Sequence, residues 1–208
     1  MRKLMLATNN AGKVIEFRAL LGQWGSLRGV ELVTSRDWPQ PLPDVAETGT
    51  TFAENARLKA VALARATGLP ALADDSGLCV DALDGQPGLY SARWAGLDAT
   101  DADRNALLLS RLAGVEAEKR TARYVCVVSL ATPNGHSIEA MGTCVGQILE
   151  APRGTNGFGY DPLFLLPDMG RTMAELTASE KNQISHRALA ISALSEHFDS
   201  SDFILPFE

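Results

Sequence analysis

Apolar residues follow two different periods along this chain, one typical of strands and the other typical of helices. Short apolar runs predict buried strands over 3–8 and 30–35, and a third run begins at residue 69. Between the first two runs, apolar residues spaced three and four apart predict a helix over 14–21 that ends at Gly22. The chain therefore alternates between strand and helix from its start.

Two capping boxes mark further helix starts, because a Thr followed three residues later by Glu satisfies the first backbone N–H groups of a helix. The box at 51–54 predicts a helix that runs to residue 67 and stops at Gly68. The box at 177–180 predicts one long helix that runs to about residue 198.

A hairpin completes the pattern. Strand-like segments over 121–132 and 137–149 flank Asn134-Gly135, a dipeptide typical of tight hairpin turns. Alternating strands and helices followed by a hairpin predict an α/β fold with a mixed sheet flanked by helices. The 208 residues suffice for one substantial core, so we expect a single domain over 1–208.

Composition narrows the class of protein. The chain is 46% hydrophobic with a net charge of -6, which argues against non-specific binding to nucleic acid or to an anionic membrane. No apolar span reaches membrane length, and the apolar stretch near the N-terminus is too short for a signal segment. Cys79, Cys126 and Cys144 form no metal-ligand spacing and are expected to be buried thiols. These features predict a cytoplasmic protein.

The third apolar run ends in Asp74-Asp75-Ser76-Gly77. Gly77 predicts a turn that leaves both carboxylates at the carboxyl end of a strand, where open α/β sheets bind ligands. Two adjacent carboxylates repel unless a cation or hydrogen-bond donors compensate, which favours a divalent metal. A turn with solvated carboxylates accounts for the same residues, so both interpretations stay open here.

Phosphate and base contacts have weaker signals. Residues 8–13 form a polar turn between a strand and a helix, an arrangement that aims backbone N–H groups at an anion, although they depart from the P-loop pattern. Phe158 lies between two glycines and suits either stacking on a planar base or anchoring a loop. Lys59, Lys181 and Arg187 could each be solvated surface charges, whereas all three beside the acidic pair favour an anionic ligand.

These segments, taken in order, resemble the inosine triphosphate pyrophosphatase family. The resemblance covers nearly the whole chain and rests on six motifs, which lie at 7–13, 47–59, 73–78, 87–93, 157–162 and 181–187. It implies two lobes with a central active-site cleft, a homodimer and dependence on magnesium. It also implies a house-cleaning hydrolase of nucleotide metabolism with a purine nucleoside triphosphate as its substrate.

Residue roles follow from the same resemblance. It implies Asp75 as the proton acceptor, and Glu47 with Asp75 as the magnesium ligands. The implied substrate-binding residues are Thr8, Asn9, Asn10, Ala11, Gly12, Lys13, Ser76, Phe158, Gly159, Tyr160, Asp161, Lys181, His186 and Arg187. Of these, His186 and Arg187 are expected to complete the base site, with Arg187 a candidate donor to the 6-oxo group.

The expected reaction is attack of water on the α-phosphorus of ITP, dITP or XTP, which releases pyrophosphate and a nucleoside monophosphate. Three alternatives remain: a related pyrophosphatase acting on pyrimidine or modified nucleotides, an aspartyl phosphatase, and a nucleotide sensor without catalysis. The aspartyl phosphatase is disfavoured because Asp74-Asp75-Ser76 lacks the Asp-x-Asp spacing of such enzymes.

Overall fold

A computed structural model of the protein describes residues 2–206. Met1, Phe207 and Glu208, which belong to the predicted domain of 1–208, lie outside the described residues. The chain divides into two compact units. Unit 1 comprises Met1–Asp75, Cys126–Gly142 and Arg187–Glu208, and unit 2 comprises Ser76–Val125 and Thr143–His186. The expectation of a single domain stays a prediction.

Strands and helices alternate as predicted. The described residues form helices α1 Ala11–Leu21, α2 Phe52–Thr67, α3 Asp101–Arg111, α4 Ala178–Ile184 and α5 His186–Ser200. Their strands are β1 Lys3–Leu6, β2 Glu31–Thr34, β3 Ala71–Val80, β4 Thr121–Ala131, β5 Ser137–Ile148, β6 Phe164–Leu166 and β7 Arg171–Thr172.

The seven strands form one sheet in the order β2-β1-β3-β4-β5-β6-β7. β1 pairs in parallel with both β2 and β3, whereas β6 pairs antiparallel with both β5 and β7. The sheet is therefore mixed, and the predicted α/β class is confirmed.

Unit 1 buries both faces of its part of the sheet, because successive strand residues point to opposite sides. On one face, Leu6 and Leu72 belong to a core cluster with Phe17 of α1 and Ile191 of α5. On the other face, Ala73 packs with Ala60 and Ala64 of α2, whose small side chains let the helix approach the strand closely. The two faces thus carry different helices.

Unit 2 has a core of its own. Leu78 and Val80 of β3 pack in one cluster with Leu108 of α3 and Phe164 of β6. The apolar residues of α3 recur at the helical period because one face of the helix packs on this core. Thr100 caps the first turn of α3 by accepting a hydrogen bond from the Asp103 backbone N–H.

The predicted end of the third strand is wrong. β3 continues through Val80, so Asp74 and Asp75 lie in the middle of a strand. Gly77 is needed for close packing, because a Cβ atom there would meet the Gly88 carbonyl oxygen at 2.2 Å. The acidic pair nevertheless lies just beyond the carboxyl end of β1, since Leu6, the last residue of that strand, pairs with Leu72.

The predicted long C-terminal helix is also wrong, because it is two helices. α4 ends at Ile184, and Ser185 adopts an extended backbone with ψ of 153° before α5 begins. No glycine or proline marks this break in the sequence. The break is explained by the burial of Ser185 and Arg187, which are each 1% exposed.

Other boundaries agree with the sequence. α2 begins after Thr51 with both hydrogen bonds of the capping box and ends at Gly68, which has a left-handed backbone. The predicted hairpin is present as β4 and β5, and the Thr132 backbone N–H donates to the His136 carbonyl across the turn. Within residues 2–206, no helix is both long and apolar enough to cross a membrane.

Candidate active site

The two adjacent aspartates point to opposite faces of the sheet, as the two-residue period of a strand requires. Asp75 contacts Asn55 and Lys59 of α2, on the face where Ala73 lies. Asp74 contacts Lys13 of α1 and therefore lies on the face of Leu72. The repulsion expected from the sequence is relieved in this way, and each carboxylate has its own cationic partners.

On the α2 face, one ammonium group joins two carboxylates. Lys59 Nζ donates to Glu47 Oε1 at 2.9 Å and to Asp75 Oδ1 at 3.2 Å. Burial raises the pKa of Asp75, the ammonium of Lys59 opposes that shift, and the charge of Glu47 adds to it. A carboxylate whose pKa is raised toward neutrality suits a proton acceptor.

The buried amide of Asn55 fixes the other oxygen of Asp75. Asn55 Oδ1 accepts a hydrogen bond from the Gly49 backbone N–H at 2.8 Å, so its Nδ2 must face Asp75 Oδ2, which lies 3.2 Å away. A Cβ atom at Gly49 would meet Asn55 Oδ1 at 2.7 Å, and this close approach requires glycine. The amide therefore connects the loop that carries Glu47 to Asp75.

Glu47 and Asp75 fit a magnesium ion. Both are hard oxygen donors, and they already share one cation, the ammonium of Lys59. The described residues contain no group of three or more His, Cys, Asp or Glu that could hold a metal by itself. Magnesium is commonly bound by one or two carboxylates together with substrate phosphates and water, so two carboxylates satisfy what the protein must supply.

On the opposite face, Asp74 belongs to a buried ionic cluster. Its Oδ2 accepts from Lys13 Nζ at 2.8 Å and from Arg187 Nη2 at 3.1 Å. Arg187 also donates to Glu16 of α1 and lies over the Phe17 ring. Burial opposes the charge of Asp74, but the two cations hold its pKa well below the usual range.

The predicted anion-binding turn starts α1. Asn10 caps the helix and accepts from the Lys13 backbone N–H at 3.1 Å, while Thr8 Oγ1 accepts from the Asn10 N–H at 3.2 Å. Ala11 and Gly12 form the first turn, and Asn9 Oδ1 accepts from a serine hydroxyl of the loop after β2. Residues 8–13 belong to unit 1, as do Glu47, Asp75 and Arg187.

The predicted base-binding residues form a cluster in unit 2. Asp161 Oδ2 accepts from the Phe158 backbone N–H at 3.0 Å and from Lys181 Nζ at 2.5 Å. The Lys181 ammonium also lies 4.8 Å from the centre of the Phe158 ring. Gly157 is required here, since it has a φ of +76° and a Cβ atom would meet Asp161 Oδ2 at 2.0 Å.

Other predicted residues occupy supporting positions. Tyr160 is buried, and its hydroxyl donates to the Ser91 carbonyl at 3.0 Å. The His186 ring stacks on Tyr124 with centroids 4.7 Å apart. Ser76, half-buried, follows Asp75 on β3 and belongs to unit 2.

The expected role of Arg187 as a donor to the base stays a prediction, and the structure shows where its side chain lies. The residue is 1% exposed, and its guanidinium contacts Asp74 and Glu16. This burial gives it the geometry of a residue that orients Asp74.

The sequence interpretation assigned no role to several residues that the geometry brings into the clusters. Asn55 has a spacing of four from Lys59, which predicts a shared helix face, and both side chains do contact Asp75. Glu16 gave no signal, because its contact with Arg187 joins positions 171 residues apart.

Comparison with known proteins shows the family to which this chain is similar. The family model described as the Ham1 family matches residues 4–197. The dITP/XTP pyrophosphatase of Geobacillus kaustophilus is 54% identical over 199 residues, which cover 96% of this chain and 95% of that protein.

Two solved structures are similar over nearly their whole length. A HAM1 protein from Coxiella burnetii superimposes with a TM-score of 0.84 at 41% identity, covering 97% of this chain and 100% of that one. The Ham1 protein of Staphylococcus aureus gives a TM-score of 0.81 at 40% identity, covering 95% and 98%. These matches confirm the resemblance drawn from the motifs, and the chain belongs to the Ham1 family.

Proposed function

We propose that the protein hydrolyses non-standard purine nucleoside triphosphates such as ITP, dITP and XTP to the nucleoside monophosphate and pyrophosphate. The observation that carries this proposal is the shared ammonium of Lys59 between Glu47 and Asp75, a cation position between two carboxylates. The name of the Geobacillus kaustophilus relative, dITP/XTP pyrophosphatase, supports the choice of substrate.

Asp75 acts as the base in the proposed reaction. It takes a proton from water as the water oxygen bonds to the α-phosphorus, and the bond from that phosphorus to the pyrophosphate oxygen breaks. Asn55 holds the carboxylate through a hydrogen bond of 3.2 Å, so the base is oriented before substrate arrives. Lys13 and Lys59 supply positive charge for the triphosphate, and residues 8–13 supply helix N–H groups.

Glu47 and Asp75 would hold Mg²⁺, which when bound offsets phosphate charge and stabilises the leaving oxygens. The separate protein donors on the two carboxylate oxygens of Asp75, Lys59 on Oδ1 and Asn55 on Oδ2, support the proposal that this residue has both tasks.

The unit 2 cluster binds the nucleoside in this proposal. The half-buried Phe158 ring stacks on the purine, and Lys181 and Asp161 hold the loop that carries it. Tyr160 anchors the same loop, and Ser76 and His186 complete the substrate contacts. Donors aimed at a 6-oxo group would reject the amine of adenine, so ITP should be hydrolysed much faster than ATP.

The proposal is tested by measuring the products from ITP, XTP, dITP, GTP and ATP with and without magnesium. We expect pyrophosphate from the first three, and loss of activity when a chelator removes the metal. Inorganic phosphate as the first product, or equal rates with ATP and ITP, would contradict the proposal.

Asp75→Asn separates an enzyme from a nucleotide sensor. We expect the rate of ITP hydrolysis to fall by roughly 10² to 10⁴ with substrate binding largely retained, because the proton acceptor is lost while the Asn side chain keeps one oxygen for the proposed metal. Asp98→Asn, which changes an exposed carboxylate outside both clusters, is the matched control and should keep full activity. Unchanged turnover in Asp75→Asn would favour the sensor.

The proposal extends to assembly and compartment. The cysteines Cys79, Cys126 and Cys144 are free and buried, as thiols in a reducing compartment would be, which supports a place in the cytoplasm. The proposed state in solution is a homodimer, and light scattering on a sizing column measures it directly.

A further inference from the structure

The loop that carries Phe158 is hydrogen-bonded to helix α3 through the backbone of Gly159. The Gly159 backbone N–H donates to Asp101 Oδ2 at 2.7 Å, and its carbonyl accepts from Asn105 Nδ2 at 2.9 Å. Asp101 and Asn105 are four residues apart and so share one face of α3. Both polar groups of Gly159 are therefore held by the same helix face.

Asp101 is itself held in place. It is the first residue of α3, and its other carboxylate oxygen accepts from Arg104 of the same helix. Arg104 in turn donates to the backbone carbonyls of Ala92 and Ala99. The acceptor for the Gly159 N–H is thus held by contacts that do not involve the Phe158 loop.

The Phe158 loop and α3 line a common cavity. This cavity has a volume of about 490 Å³, and its lining includes Asp101, Asn105 and Phe158. Gly157 and Gly159 flank the aromatic residue with positive φ angles of +76° and +65°, a conformation in which glycine is the most permissive residue. Without the contacts to α3, the backbone next to Phe158 would gain conformational freedom.

We propose that Asp101 and Asn105 are positioning residues for the purine, because they fix Gly159 and thereby the Phe158 ring. The inference rests on the proposed function, in which that ring stacks on the base. It assigns to α3 a part in the affinity for the nucleoside and none in the contacts with the phosphates.

The test compares a ligand that has a base with one that lacks it. KM and kcat are measured with ITP, and the inhibition constant is measured with inorganic tripolyphosphate. Asn105→Asp keeps the side-chain shape and replaces the donor with an acceptor that faces the Gly159 carbonyl. We expect KM for ITP to rise about tenfold, with kcat and the tripolyphosphate inhibition constant each changed less than about twofold.

Further variants control for folding and charge. Asn105→Ala removes the donor without adding charge and should shift KM in the same direction, so a folding defect of Asn105→Asp leaves the inference testable. Asp101→Ala removes the acceptor for the Gly159 N–H and should raise KM for ITP in the same way. Ser110→Ala, at an exposed position near the end of α3, should change neither constant.

The outcomes separate the two proposals. If the unaltered protein releases no pyrophosphate from ITP, the proposed function fails, and the inference fails with it. The inference alone is overturned if the unaltered protein is active but KM for ITP and the tripolyphosphate inhibition constant rise together in the Asn105 variants. It is also overturned if neither of these two constants changes.

Discussion

Asp74 and its neighbour Asp75 are both buried carboxylates, but they contact different partners on opposite faces of the sheet. Its side chain is 1% exposed and contacts Lys13 and Arg187, whereas Asp75 faces α2. Sequence reasoning found both residues and ranked Asp75 above Asp74 through the family resemblance. It could not foresee the separate partners, because Arg187 is 113 residues away along the chain.

We predict that Asp74→Asn destabilises the protein by about 3–5 kcal/mol, because it leaves buried cations without their carboxylate. The free energy of unfolding is measured by denaturant titration. The control is Asp81→Asn, whose ion pair with Arg123 has side chains 51% and 46% exposed and should contribute at most about 1 kcal/mol. Equal losses in the two variants would contradict the burial argument.

At the scale of elements, the capping boxes predicted two helix starts, whereas the break between α4 and α5 was not predicted. The boxes at Thr51 and Thr177 both form the hydrogen bonds that their spacing predicts. The break at Ser185 carries no local signal, because it depends on burying Arg187 against α1 and β3. Gly77 misled the strand prediction for a similar reason, since the Gly88 carbonyl that demands glycine there is remote in sequence from the strand pattern.

The start of α4 should depend on pH. Glu180 accepts hydrogen bonds from Arg171 and from the N–H and hydroxyl of Thr177, and these lower its pKa to about 2. Because the unfolded chain binds the proton at higher pH than the folded one, this stabilisation is complete above the ordinary glutamate pKa of 4.5. It is lost as pH falls toward 2.

Carbon NMR titration of the Glu180 carboxyl group checks this prediction. Thr177→Ala removes the hydroxyl donor of the cap and should move the pKa of Glu180 upward, toward the ordinary value. A Glu180 that titrates like other exposed glutamates in the unaltered protein would rule out the cap as described.

At the scale of the whole molecule, the mixed sheet and the family were predictable from sequence, since period, hairpin turn and ordered motifs are local signals that agree with one another. The division into two units was not predicted from period or composition, because β3, β4 and β5 each begin in one unit and end in the other. A strand that changes unit midway shows no change in its sequence pattern.

These shared strands predict that the protein unfolds in one step. Neither unit can lose its part of the sheet without disturbing strands that continue into the other, so calorimetry should show a single transition with equal calorimetric and van't Hoff enthalpies. Two resolved transitions would mean that the units unfold independently and that the expected single domain is wrong.

The alternation of Asp74 and Asp75 across the sheet also limits how this chain can change length. One residue inserted just before Asp74 would rotate every later side chain of β3 to the other surface, which would turn Asp74 toward α2 and move Asp75 into the place of Ser76. The proposed proton acceptor and the ion pairs of Asp74 would both be lost by a change that leaves the composition of the strand almost intact. Insertions and deletions in this gene should therefore be confined to loops, because the length of this strand decides which face of the sheet each side chain occupies.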